Sequence, residues 1–170
     1  MFARPPVHRS LLAAILALLL AAGSAAAAAA QPSCHSPAEL GTIRFRQLQI
    51  ELWLAARKCE AGNGEYSRRY NAYVEKARPG LVENGRELQA IFSRRGRGVA
   101  AMDHYLTGMA NDAQIRSQSA ADYCQAAWTR LERAATLAPH ALDELAVDAV
   151  PLPYRADPCP AAPSRRHAGG

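Results

Sequence analysis

The sequence predicts an all-α protein: a disulfide-clasped bundle of four main helices plus a short fifth, followed by an irregular C-terminal tail. Three observations predict it. Apolar side chains recur at spacings of three and four along most of the chain, the signature of helices with one face buried. No stretch shows the period-two alternation of a half-buried strand. Four cysteines, Cys34, Cys59, Cys124 and Cys159, are scattered along the chain without a C-x-x-C pair, which points to disulfides rather than to a zinc ribbon or a thioredoxin-type centre.

The first element precedes the bundle. Residues 1–9 carry Arg4, His8 and Arg9 and no acid, "SLLAAILALLLAA" follows from Ser10, and Ala28-Ala29-Ala30 ends the run. A positive start, a short apolar core and a small-residue exit read as a secretory signal peptide over residues 1–30. The run is too short and too rich in alanine for a membrane span, which needs about 20 apolar residues. No later segment could span a bilayer. Gln31, Pro32 and Ser33 before Cys34 do not fit a lipoprotein attachment site.

The bundle is expected over residues 31–150. Ser36-Pro37-Ala38-Glu39 is a capping box with proline at the first helical position. The helix it starts runs to about Glu60. Its apolar residues lie on two arcs, one with Leu40, Ile43, Ile50 and Leu54, the other with Phe45, Leu48, Leu52, Ala56 and Cys59. So broad an apolar surface marks a central helix with several partners. A second helical pattern covers about 65–93 through Tyr66, Tyr70, Tyr73, Ala77, Leu81, Leu88, Ile91 and Phe92, with a kink or break expected near Pro79. After "SRRGRG", a third covers about 98–117 with Val99, Met102, Leu106, Met109 and Ala113 on one face. Ser119 to Asp122 is the expected cap of a fourth, about 120–138, with Cys124, Trp128 and Leu131 inward. Pro139 opens a short fifth to about Val147. Residues 151–170 are dense in Pro, Ala and Gly and read as a tail with no core of its own, tied down only by Cys159 if that residue is bridged.

Four cysteines allow three pairings. Position favours Cys59–Cys124, both within helical patterns, as an inner clasp, and Cys34–Cys159, both in flanking segments, as an outer one. Scattered, even-numbered cysteines behind an export signal also place the chain in the periplasm or outside the cell.

Charge excludes little except nucleic acid. The chain has 20 basic and 15 acidic residues, and removing Arg4 and Arg9 leaves 18 against 15, a balance near +3 with no concentrated basic face. Candidate site residues are few. Arg44, Gln47, Asn71 and Asn111 are polar groups within helical patterns and could form a buried network or line a pocket. Arg94, Arg95 and Arg97 form a loop that could hold an anion at the following helix start. Asp103, His104 and Asp112 lack the i, i+4 spacing of a metal-binding helix, and His35, His104, His140 and His167 read as surface histidines. Glu51 and Glu75 could pair as the acid and base of a cell-wall hydrolase, a weak signal in any helical protein. No G-x-S-x-G, phosphate loop or haem-attachment motif is present, so no cofactor is expected.

The stretches "IRFRQLQIELWLAARKC", "YNAYVEKARPGLVENGRELQAIF" and "TGMANDAQIRS" resemble an uncharacterised family of small exported helical proteins from Gram-negative bacteria. The resemblance covers roughly Ile43 to Cys124. It implies a cysteine at the end of the first helix and another early in the fourth, here Cys59 and Cys124, which favours the inner disulfide. It implies no activity, cofactor or catalytic residue. The sequence thus supports an exported, non-catalytic structural or partner-binding protein of the cell envelope, with an envelope protein or cell-wall component as partner. A small-molecule or anion-binding protein is the alternative.

Overall fold

The computed structural model describes residues 34–160. The expected signal segment and residues 161–170, His167 among them, lie outside the described residues. The described chain forms helices α1 (Pro37–Lys58), α2 (Glu65–Arg94), α3 (Val99–Ser119), α4 (Tyr123–Thr136) and α5 (Leu142–Ala149), with a 3-10 turn, Pro139–Ala141, before α5. No strand occurs among these residues.

The capping box starts α1 as the sequence requires. The Glu39 amide donates to Ser36 Oγ at 3.3 Å, and the Ser36 amide donates to Glu39 Oε2 at 3.1 Å. The two arcs of α1 are both covered, because α1 packs against α2, α3, α4 and α5. One core cluster joins Phe45, Leu48 and Leu52 of α1 to Tyr73 of α2, Leu131 of α4 and Leu145 of α5. A second gathers Leu40 and Ile43 with Leu88 and Phe92 of α2, Met109 of α3 and Ala156 of the tail.

α2 runs through Pro79 without a break, unlike one of the two expected outcomes. Pro79 and Glu75 are both exposed, so water can serve the Glu75 carbonyl that loses its helical donor. Glu60, beyond the end of α1, caps the other end of α2 by accepting from the amides of Gly64 and Ser67. The expected cap of α4 is not made. Ser119 is the last residue of α3 and its hydroxyl donates to Ile115 O, and Asp122 forms no side-chain cap. Instead the far end of α4 is served by Lys76, whose ammonium donates to Ala135 O and Leu137 O at 2.7 and 2.9 Å.

Both clasps are present. Cys34 and Cys159 have Cα atoms 4.7 Å apart across 125 residues, and Cys59 and Cys124 have theirs 5.5 Å apart across 65. Each alone would stabilise the fold by about 4–5 kcal/mol in the chain-entropy picture. Such disulfides suit an oxidising compartment, and no described helix is long and apolar enough to cross a membrane.

Non-reducing peptide mapping should therefore yield Cys34 linked to Cys159 and Cys59 linked to Cys124, with no mixed pair. Leu48 is fully buried between the helices, so Leu48→Ala should cost about 2–5 kcal/mol in a denaturant titration. Asn71→Ala, at an exposed position, should stay within about 0.5 kcal/mol.

Candidate functional site

The site grows from one carboxylate. Glu39, committed by the capping box to the start of α1, also accepts from Arg94 Nη2 at 3.2 Å and from Arg95 Nη2 at 3.1 Å. Arg95 donates further to Cys34 O at 2.8 Å. The loop expected to hold an anion is therefore divided. Arg94 and Arg95 face Glu39, while Arg97 is exposed and has no ion-pair partner among the described residues. Burial pushes the Glu39 carboxyl up, but the Ser36 amide and the guanidiniums of Arg94 and Arg95 outweigh it and hold it below the usual carboxylate range.

The tail supplies the opposite wall and corrects the expectation that only Cys159 ties it down. The Tyr154 amide donates to Gln47 Oε1 at 2.8 Å. Arg44 donates to Val150 O at 3.1 Å and to Pro151 O at 3.4 Å. Val150 and Ala156 are buried. Beside the clasp, His35 and Pro158 form a parallel bridge: the His35 amide donates to Asp157 O, and the Cys159 amide to His35 O. The Tyr105 hydroxyl donates to Tyr154 O. Gly108 makes room for this packing, since a Cβ there would lie 2.5 Å from the Tyr154 hydroxyl.

Between the tail, the end of α2 and the first turns of α3 lies an open cleft of about 750 Å³. Its cationic lining is Arg95, Arg97 and Arg155, joined by His35 and His104; among the described residues that line it none is acidic. Its floor is an aromatic row. Phe92 and Tyr105 have ring centroids 5.3 Å apart, and Tyr105 and Tyr154 5.4 Å. The Arg155 guanidinium lies 5.2 Å from the Tyr154 ring centroid. Arg155 adopts a left-handed backbone with φ +43°, a conformation that costs energy for a residue with a Cβ. His35 is half-buried, not a surface histidine, and its Nδ1 has no hydrogen-bond partner among the described residues. Its pKa is lowered, first by burial and then by the charge of Arg95.

The polar quartet expected from the sequence does not assemble. Arg44 and Gln47 come together, but around the tail backbone. Asn71 and Asn111 are both exposed, on α2 and α3. Glu51 accepts from Arg116 at 2.8 Å and Arg130 at 3.2 Å, whereas Glu75 is exposed, and neither lines either of the two large clefts. Among the described residues no three His, Cys, Asp or Glu side chains gather as a metal site. Sequence reasoning missed Tyr105, Tyr154 and Arg155; an aromatic-basic pair inside a proline-rich tail was the one available signal.

A second cleft, about 450 Å³, has the opposite sign. It opens between α1, α2 and the start of α5 over the small residues Ala38, Gly41, Ala77 and Gly80, with Glu83, Glu87 and Asp143 among its lining. Glu87 accepts from Thr42 at 2.9 Å and Glu83 from Arg86 at 3.1 Å. No family model, no curated protein and no solved structure matches the chain.

Glu39 contributes stability when ionised, because its folded-state pKa lies below its ordinary value of 4.5. That contribution is complete above the ordinary value and is lost as pH falls through the lower, folded one. Glu39→Gln should therefore lower stability by about 1–2 kcal/mol at neutral pH. Thermal unfolding between pH 7 and pH 3 should show the wild type losing more than the variant. Equal losses would mean the carboxylate is not held ionised by its partners.

Proposed function

We propose that the chain is an exported, non-catalytic binding protein of the cell envelope, and that it binds through the basic, aromatic-floored cleft. The observation that carries this reading is the convergence of Arg95, Arg97 and Arg155 on one concave surface, drawn from segments about 60 residues apart, with no acid among the described residues that line it. Concave, partly apolar surfaces with a few converging polar groups are the usual form of ligand sites. Both clasps support an oxidising location, and the signal pattern at residues 1–30 supports export. The likeness to small exported helical proteins of Gram-negative bacteria belongs to the same reading.

A structural or partner-binding role, with an envelope protein or cell-wall component, has its own support. Trp53, Ile115 and Leu152 are large apolar side chains with relative exposures of 44%, 63% and 84%. They lie on three different elements, however, and singly exposed apolar residues are normal on monomers. The cleft is therefore the better-supported surface.

Native mass spectrometry of the protein purified gently from an envelope or secreted fraction tests the reading. The expected result is a small-molecule adduct on the wild type that disappears from an Arg97→Glu/Arg155→Glu double variant of unchanged unfolding midpoint. An adduct-free wild type, or an adduct that survives the charge reversal, would move the function away from this cleft.

A further inference from the structure

We infer that the cleft takes a small amphipathic organic anion: an oxyanion head, carboxylate, sulfonate or phosphate in type, joined to a flat aromatic body. This rests on the reading of the cleft as the binding site and adds the class of ligand. The division of charge within the cleft identifies the head. Arg95 is answered by Glu39, so its charge is largely spent within the fold. Arg97 and Arg155 have no ion-pair partner among the described residues, and both line the cleft. A guanidinium presents parallel donors matched to an oxyanion, so two of them facing one space favour a compact anionic group.

The start of α3 adds to this. Gly98 is its N-cap and has no side chain to accept from the first-turn amides. Arg97 and Ala101 of the lining bracket that turn, and the positive end of the helix dipole lies with them. Asp103 and Asp157 are the nearest acids in sequence to the lining, beside His104 and close to His35 and Arg155, and neither lines the cleft.

The floor identifies the body. A bare inorganic anion would be served by the rim alone and would leave the row from Phe92 through Tyr105 to Tyr154 unused. Those rings meet at tilts of 57° and 55°, so they do not cover one another's faces, and a planar ring can lie against them in an offset or edge contact. Tyr105 is fixed for this by its hydrogen bond to Tyr154 O. Tyr154 is fixed by Gln47 through its amide. A volume of about 750 Å³ lies in the range of small-molecule sites.

The test is calorimetric titration of the oxidised protein with 2-naphthoate, against 2-naphthalenemethanol, which keeps the ring without the charge, and inorganic phosphate, which keeps the charge without the ring. The expected result is one-to-one binding of naphthoate at least tenfold tighter than either comparator. Arg97→Gln and Arg155→Gln should each weaken it about tenfold, as loss of a charged hydrogen bond predicts. Unfolding midpoints should change little, since neither side chain makes an ion pair in the described fold and the contact of the exposed Arg155 with the Tyr154 ring is weak in water. Naphthalenemethanol or phosphate matching naphthoate, absence of naphthoate binding, or naphthoate affinity unchanged in both arginine variants would each overturn the inference. If naphthoate fails while the native adduct still depends on Arg97 and Arg155, the ligand class is wrong and the binding site stands. If both fail, the site itself is wrong.

Discussion

A single carboxylate, Glu39, sits where three parts of the chain meet. It closes the first turn of α1 on the Ser36 amide, binds the guanidiniums of Arg94 and Arg95 at the end of α2, and through Arg95 reaches the carbonyl of Cys34 beside the outer clasp. Its side chain is 18% exposed and that of Arg95 17%, so their pair is partly desolvated and worth more than a surface ion pair, whereas Arg94 remains largely in water. Everything on the cleft side depends on this junction. It fixes the direction in which the chain leaves α2, and so the place where the loop delivers Arg97 and α3 begins. It also removes two of three positive charges from the loop, so that the remaining one acts outward.

The cleft exists because the tail is docked by polar groups rather than by bulk. Arg44 and Gln47, on the side of α1 next to Glu51, hold the backbone of Val150, Pro151 and Tyr154. An apolar α1 at these positions would pack tightly but would give a proline-rich segment no register. With the register set, Tyr154 lands on Tyr105, and Arg155 and His35 line the same cleft as Arg97 and His104. The polar residues that look misplaced on a core helix are what turn an irregular tail into one wall of a site.

Local rules of the chain were legible: the capping box at Ser36, the two-arc burial of α1, the helix over Glu65–Arg94 and the nesting of the clasps all follow from spacing and residue type. What failed were inferences that need to know which way a helix faces. Asn71 and Asn111 are poor helix formers, and that alone does not say whether an amide is buried or, as here, turned to water. Gln47 has the same chemistry and is 3% exposed. Pro79 was read as a kink or a break in one long helical segment, and the break does not occur: the helix is continuous through it, the lost hydrogen bond falling on an exposed face open to water. Ser119 and Asp122 matched a cap by type, but Ser119 ends α3 and turns its hydroxyl to Ile115 O, and Asp122, although it holds the N-cap position, lacks the extended backbone of a capping residue. The cleft was illegible for a different reason. Its lining comes from residues 35, 43, 91–108 and 154–155, and no local pattern links His35 to Tyr154 before the clasp and the tail hydrogen bonds bring them together.

The outer clasp also has a mechanical meaning. Cys34 and Cys159 stand 4.7 Å apart between their Cα atoms and enclose every described helix. Tension applied outside the two cysteines would pass from the backbone at Cys34 straight through the sulfur–sulfur bond to the backbone at Cys159. The five helices would carry none of it and would stay slack inside a covalent ring. A pull that would unravel an unclasped bundle turn by turn would here leave the core and the cleft at rest until the bond itself was reduced.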